Sequence, residues 1–151
     1  MMYHVISLVG PAGHGKTSLL HEPTSAYMST MECDKHVVER SSNSFFEVWD
    51  TPGLLVFEED VIKCMRRCDA HLLVIKCSES IPERFEALVK STPGVWLLLA
   101  TFPGNADHLR AWATEQEIPF CHVRESEDAW IAAECALEHV IPRIKSSYIR
   151  T

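Results

Sequence analysis

The sequence lacks any apolar run near the roughly 20 residues that a membrane-spanning helix needs, and it has few basic residues. Its 14 Lys and Arg stand against 21 Asp and Glu, which gives a formal net charge of -7 at pH 7. Because binding to nucleic acid through bulk charge requires a basic surface, no nucleic-acid partner is predicted. Neither end carries a signal segment, a myristoylation glycine or a prenylation cysteine. We therefore expect a cytoplasmic protein with no encoded membrane anchor.

The six cysteines include no Cys-x-x-Cys pair, and no matching Cys or His pair at zinc-finger spacing accompanies Cys64 and Cys68. Cys64 and Cys68 share one predicted helix face with Val61 and Met65. This pattern indicates thiols that pack as small hydrophobic side chains. We expect neither a disulfide framework nor a zinc site.

What the sequence does have is the composition of a globular domain. Its 151 residues, 46% hydrophobic and 23% charged, fit a single domain over 1–151. Predicted strands and helices alternate, which is typical of a mostly parallel α/β sheet. Two strand-like runs joined by Ser41-Ser42-Asn43 add one antiparallel pair. The predicted fold is therefore α/β, with a mostly parallel six-stranded sheet and one antiparallel edge hairpin.

The bounds of these elements follow from apolar periodicity and from turn residues. Strands are predicted at Tyr3–Val9, Asp34–Arg40, Ser44–Trp49, Ala70–Ile75, Val95–Ala100 and Pro119–Val123. Helices are predicted at Lys16–His21, Glu58–Cys68, Ile81–Lys90, Ala106–Gln116 and about Ser126–Lys145. In the last helix the apolar residues recur at helical spacing, so Trp130 is expected to face the core.

The loop after the first predicted strand matches a phosphate-binding pattern. Residues 10–17, Gly-Pro-Ala-Gly-His-Gly-Lys-Thr, satisfy G-x-x-x-x-G-K-[ST] between a strand and a helix. Small residues let backbone N–H groups turn towards phosphate oxygens, and the helix N-terminus adds a favourable dipole. Lys16 supplies a charge for the β- and γ-phosphates, and Thr17 offers a hydroxyl to Mg²⁺. The nucleotide-binding residues predicted here are Gly10, Ala12, Gly13, His14, Gly15, Lys16 and Thr17.

Asp50 ends the third predicted strand and is followed by Thr51-Pro52-Gly53. Together with the phosphate loop, this Asp-x-x-Gly makes the chain resemble the small Ras-like GTPases of the P-loop class. The resemblance implies a three-layer P-loop NTPase fold, a single small G domain, and GTP or GDP with Mg²⁺ as ligands. It implies that Asp50 holds the metal and that the Gly53 N–H meets the γ-phosphate. By its spacing, Thr30 rather than Thr24 is the threonine that closes over Mg²⁺.

The chain departs from that family at the catalytic glutamine, where Leu54 stands. Leucine cannot orient or activate a water. The pattern is similar to the GTPase branch with a hydrophobic residue here, which obtains its catalysis from a homodimer, a potassium ion or a partner. Ala12 stands where Ras-type proteins have glycine, and its methyl group would crowd a glutamine or an inserted arginine. Slow hydrolysis is therefore expected, with Lys16 and Thr30 as transition-state and metal support and no other catalytic residue assigned.

The base-recognition motifs of the family are degenerate in this chain. Its Asn/Thr-Lys-x-Asp aligns with Thr101-Phe102-Pro103-Gly104, so Thr101 and Phe102 are the candidate nucleotide contacts. Gly104 lacks the carboxylate that accepts the guanine hydrogens, and Asp107 is the nearest substitute. The family's Ser-Ala-Lys aligns with Arg124-Glu125-Ser126, which does not match. Relaxed guanine selectivity is therefore expected, with ATP as an alternative ligand.

Three functions stay open at this point. The first is a Ras-like switch protein that hydrolyses GTP slowly and contacts a protein effector or regulator near Thr30 and through the apolar run Leu54–Phe57. The second is a pseudo-GTPase, an interaction module with little or no turnover. The third is an ATP-using P-loop enzyme. The nucleotide released from denatured protein separates them: guanine supports the first, none the second and adenine the third.

Overall fold

The computed structural model describes residues 2–11, 13–16, 19–20, 34–51 and 58–149. The strands are β1 Met2–Val9, β2 Asp34–Ser41, β3 Ser44–Asp50, β4 Ala70–Lys76, β5 Val95–Thr101 and β6 Phe120–His122. The helices are α1 Glu58–Met65, α2 Glu83–Ser91, α3 Asp107–Glu115 and α4 Ser126–Ile149. Within these ranges no helix is long and apolar enough to cross a membrane.

The strands form one six-stranded sheet in the order β2-β3-β1-β4-β5-β6. β1 pairs in parallel with β3 and β4, and β5 pairs in parallel with β4 and β6. β2 and β3 form the single antiparallel pair of this sheet. The predicted α/β fold with one antiparallel edge hairpin is therefore confirmed. Because these parallel strands end at the same edge, the carboxyl ends of β1, β3, β4, β5 and β6 meet there.

Helices cover both faces of the sheet. In β4, Leu72 and Val74 belong to the core cluster that contains Trp130 of α4, whereas Leu73 and Ile75 belong to the cluster that contains residues of α2 and α3. Successive strand residues point to opposite faces, so burial of both sets requires cover on both sides. Trp130 is 4% exposed, which confirms its predicted place in the core.

All four described helices differ from their predicted bounds at one end or both, and two of the differences have a local cause. α1 ends at Met65 rather than at Cys68. The N–H of Cys68 donates to the Met65 carbonyl in a turn that follows the helix. α2 begins at Glu83 rather than at Ile81, because Pro82 is extended, with φ −61° and ψ 144°. A residue before proline avoids the helical region, so Ile81 stays outside the helix. Of the predicted helix Lys16–His21, residues 17, 18 and 21 lie outside the described residues, and Lys16, Leu19 and Leu20 are not α-helical.

A buried hydrogen-bonded pair joins β1 to β4. Ser7 and His71 are 0% and 1% exposed, and Ser7 Oγ lies 2.9 Å from His71 Nδ1. His71 Nε2 lies 3.3 Å from the carbonyl oxygen of Pro93, so Nε2 donates and Nδ1 accepts from the serine hydroxyl. Burial lowers the pKa of His71, which favours this neutral form.

We expect Ser7→Ala to lower the free energy of unfolding by about 1–3 kcal/mol, because Nδ1 of His71 is then buried without its donor. Urea denaturation measures the change. Ser78→Ala, at an exposed turn position, is the control and should shift the value by less than about 0.5 kcal/mol. A Ser7→Ala effect no larger than that of the control would show that this hydrogen bond does not stabilise the fold.

Candidate functional site

The phosphate loop begins at the end of β1 and runs close against β4. A Cβ atom on Gly10 would lie 2.3 Å from the backbone oxygen of Val74. No side chain fits in that space, so glycine is required for the loop to leave β1 in this direction. Gly10 and Pro11 are both buried. The loop is therefore fixed directly above the carboxyl edge of the sheet.

The side chain of Lys16 folds back over the start of this loop. It is 7% exposed, and its Nζ donates to the carbonyl oxygens of Gly10 at 2.6 Å and Pro11 at 3.3 Å. Burial lowers the pKa of Lys16, and the Asp50 carboxylate acts in the opposite direction. An ammonium group has three donors, so one N–H and the charge remain for an anion. Lys16 is thus a buried cation with the reach and the chemistry of a phosphate ligand.

Asp50 ends β3 beside the loop. It is 9% exposed and stands opposite Leu8, near the end of β1. The next residue, Thr51, bonds the Leu8 carbonyl through its N–H at 3.1 Å and its hydroxyl at 2.6 Å, which fixes the end of the strand. A carboxylate oxygen in this place suits Mg²⁺, a hard cation. Of the other predicted site residues, Ala12, Thr17, Thr30 and Gly53 lie outside the described residues, as does the run Leu54–Phe57.

His14 ties the middle of the loop to the neighbouring strands. Its Nδ1 accepts a hydrogen bond from the Lys76 N–H at 2.9 Å, and its carbonyl oxygen accepts one from Thr101 Oγ1 at 2.6 Å. The loop is therefore attached to the ends of both β4 and β5. The Thr101 hydroxyl, predicted as a nucleotide contact, is used to hold the loop.

Burial lowers the pKa of His14; Glu79 opposes the shift, and Lys16 and Lys76 add to it. His71 also has a lowered pKa. In the unfolded chain a histidine titrates near 6.5, so the unfolded state binds more protons than the folded state as the pH falls through that value. The stability that these neutral histidines contribute is present above about pH 6.5 and is lost below it.

We therefore expect the free energy of unfolding of the nucleotide-free chain to decrease between about pH 7 and pH 5. His14→Asn keeps an acceptor for the Lys76 N–H and does not titrate, so its pH profile should be less steep than that of the wild type. Urea denaturation at a series of pH values measures both profiles. Identical slopes would show that the neutral form of His14 does not contribute.

A cleft of about 650 Å³ opens beside the loop, and its lining includes Gly15, Leu19, Thr101, Phe102 and Val123. Small-molecule sites measure roughly 300–1,000 Å³, so the cleft has room for a nucleoside. Phe102 is 46% exposed, which is unusual for a phenylalanine. Asp107 begins α3 as an exposed residue and does not line this cleft.

Residues 101–104, here called the base loop, accept hydrogen bonds from side chains that the sequence pattern did not identify. His122 Nε2 lies 2.8 Å from the carbonyl oxygen of Phe102, and the Cys77 thiol donates to the carbonyl oxygen of Pro103 at 3.2 Å. The motif alignment contains the base loop but neither of these partners. Both come from the ends of strands that pair with β5, so only the sheet register brings them together.

Many solved structures resemble this chain, and two of them are described here. A bacterial selenocysteine-specific elongation factor, EF-Sec, matches with a TM-score of 0.75 and 19% identity over 92% of the chain. A variant of Era from Aquifex aeolicus, bound to GDP and AlF4⁻, matches with a TM-score of 0.62 and 16% identity over 80% of the chain. The alignments span 29% and 50% of those proteins.

No protein-family model matches the sequence, and the comparison with curated proteins finds no relative. At the identities given above, structural similarity establishes the fold alone. That fold is the P-loop GTPase fold, with the strand order and the single antiparallel pair described above.

Proposed function

We propose that the chain is a Ras-like nucleotide-binding switch that holds GTP or GDP with Mg²⁺, hydrolyses GTP slowly and has relaxed base selectivity. The observation that carries the proposal is the burial of the Lys16 ammonium at the carboxyl edge of the sheet. Lys16 lies near Asp50, and it follows Gly15, which lines the cleft. A cation is costly to bury unless an anion compensates it. The Asp50 carboxylate compensates this cation in part, and a bound phosphate would add to that compensation.

In this proposal each described residue has a separate task. Lys16 donates its remaining N–H to a phosphate oxygen, and Asp50 holds Mg²⁺ together with Thr17 and Thr30, which are assigned by resemblance. Mg²⁺, when bound, neutralises phosphate charge and orients the terminal phosphate. His14 and Thr101 keep the loop in position through their contacts with each other and with β4.

The test is the identity and affinity of the bound nucleotide. Purified protein is denatured and the released nucleotide identified; the stripped chain is then titrated with GTP and ATP by calorimetry, with and without Mg²⁺. The proposal predicts binding of a guanine nucleotide that weakens when Mg²⁺ is removed. Absence of binding would favour the pseudo-GTPase alternative, and an adenine nucleotide alone would favour an ATP-using enzyme.

The proposal includes a protein effector or regulator at the segments near Thr30 and Leu54–Phe57. Its support is the sequence alone, because four consecutive apolar residues at the second switch suit a protein contact. A homodimer is the other arrangement that the resemblance implies. Light scattering of the GDP-loaded and the GTP-analogue-loaded chain would detect a nucleotide-dependent dimer.

A further inference from the structure

Position 104 of the base loop has no room for a side chain, because Cys77 occupies the space. A Cβ atom on Gly104 would lie 2.7 Å from Cys77 Sγ, and Gly104 has a φ of +143°, which L residues rarely adopt. Cys77 is 2% exposed, and its hydrogen bond to Pro103 keeps the sulfur in place. A carboxylate therefore cannot stand at this position unless Cys77 moves.

On the opposite side of the cleft, two backbone donors are already committed. The N–H groups of Arg124 and Glu125 both donate to Asp128 Oδ2, each at 3.0 Å. Guanine is told from adenine by a donor to its O6 and an acceptor for its amino hydrogens. These two N–H groups are therefore not available to donate to the O6 atom of a guanine base. Glu127, a carboxylate on the rim, is paired with Arg40 at 2.6 Å.

What the cleft does offer is an aromatic surface. Phe102 has a φ of +68°, a strained conformation for a bulky residue that must be held by its surroundings. His122 provides a restraint through its hydrogen bond to the Phe102 carbonyl oxygen. The ring lies next to the phosphate loop, since a Cβ on Gly15 would be 3.4 Å from it. Aromatic rings stack on any base with little preference.

We propose that this cleft takes purine nucleotides by stacking on Phe102 and does not distinguish guanine from adenine. Gly104 supplies no carboxylate to read guanine and Cys77 fills the space that one would need, so these two residues together determine the lack of base selectivity. His122 is the positioning residue, because it holds the strained backbone that aims the ring of Phe102. This inference rests on the proposed phosphate site and extends it to the base.

The first experiment compares GTP, ATP and inorganic tripolyphosphate, each with Mg²⁺. Both nucleotides should bind about 5- to 100-fold more tightly than tripolyphosphate, from stacking alone, and should differ by no more than about tenfold from each other. Equal affinity for nucleotide and tripolyphosphate would refute stacking of the base on Phe102 without contradicting the proposed phosphate site. A GTP preference above roughly a thousandfold would point to another reader, such as Glu125. No binding of any of the three would refute the proposed function, and with it this inference.

A second experiment tests His122. His122→Leu removes the donor to Phe102, whereas His122→Gln keeps an N–H on a side chain of similar reach. We expect His122→Leu to lose at least about fivefold of the advantage of GTP over tripolyphosphate, and His122→Gln to keep most of it. Tripolyphosphate affinity should match the wild type in both. Equal losses in the two variants, or a parallel loss for tripolyphosphate, would rule out a positioning role.

A third experiment tests Cys77. Gly104→Asp should lower the thermal midpoint without creating a guanine preference, because its side chain meets the sulfur. Cys77→Ala in the same chain should restore part of the midpoint and move the GTP-to-ATP affinity ratio towards GTP by about tenfold or more. Cys135→Ala, which removes an exposed thiol of α4, should change neither the thermal midpoint nor the GTP-to-ATP affinity ratio of Gly104→Asp. Wild-type stability of Gly104→Asp, or no rescue by Cys77→Ala, would overturn the assignment.

Discussion

Replacing Lys16 by alanine is expected to weaken triphosphate binding by at least about a hundredfold, or roughly 3 kcal/mol. Its ammonium is buried and donates to the neutral carbonyls of Gly10 and Pro11. Charge-assisted hydrogen bonds to phosphate are the strong kind, and a desolvated site makes them stronger. The fold should persist, because Lys16 belongs to neither large core cluster of the sheet.

Calorimetry with Mg²⁺ and GTP measures this loss, and far-UV circular dichroism checks the fold. Lys16→Met keeps the aliphatic stem and removes only the charge, so it should lose as much affinity as Lys16→Ala. The matched control is Lys90→Ala, which removes an exposed lysine of α2 that pairs with Glu86 at 3.1 Å. Wild-type affinity in Lys16→Ala, with a folded protein, would refute the phosphate-loop assignment.

The candidate phosphate loop has a signal that is local in the sequence. A glycine-rich run, Lys16 and the preceding apolar strand all lie within 16 residues of the N-terminus, and the chemistry of that pattern depends on the backbone of the loop itself. The parallel strands could also be predicted from the sequence, since strands buried on both faces are continuous apolar runs such as residues 70–75 and 95–100. For α1 to α4 the differences from the predicted bounds lie at the helix ends, two of which are decided by Pro82 and by the turn after Met65.

The base loop could be predicted only in part, because its contacts join distant segments. The sequence identified Gly104 as the position without a carboxylate, but not that Cys77 fills the space. Thr101 and His14 are 87 residues apart, and His122 and Phe102 are 20 apart. Both contacts depend on the register of β4, β5 and β6. No periodicity or motif encodes such a register, so the roles of these side chains required the structure.

In single-turnover assays, we expect the isolated chain to hydrolyse GTP at about 10⁻⁴ s⁻¹, the scale of unassisted Ras-type proteins. Leu54 stands in the place of the water-orienting glutamine, and Thr51 and His14, two described polar residues of the candidate site, have their side chains engaged. Thr51 is 3% exposed and donates its hydroxyl to the Leu8 carbonyl. His14 accepts the Lys76 N–H at Nδ1, so its neutral ring carries the proton on Nε2 and cannot take one from water there.

The rate should therefore be unchanged by His14→Asn and by Thr51→Val. Lys16→Ala serves as the control, because any hydrolysis that remains in a variant without triphosphate binding comes from a contaminating enzyme. A wild-type rate near 1 s⁻¹ would be about 10⁴-fold too fast for an unassisted site. If His14→Asn then lowered it, the ring would have to leave the Lys76 N–H on nucleotide binding and expose Nδ1 to the water. If Thr51→Val lowered it, the end of β3 would have to rearrange instead. Either result would mean that the catalytic arrangement forms only with the triphosphate bound.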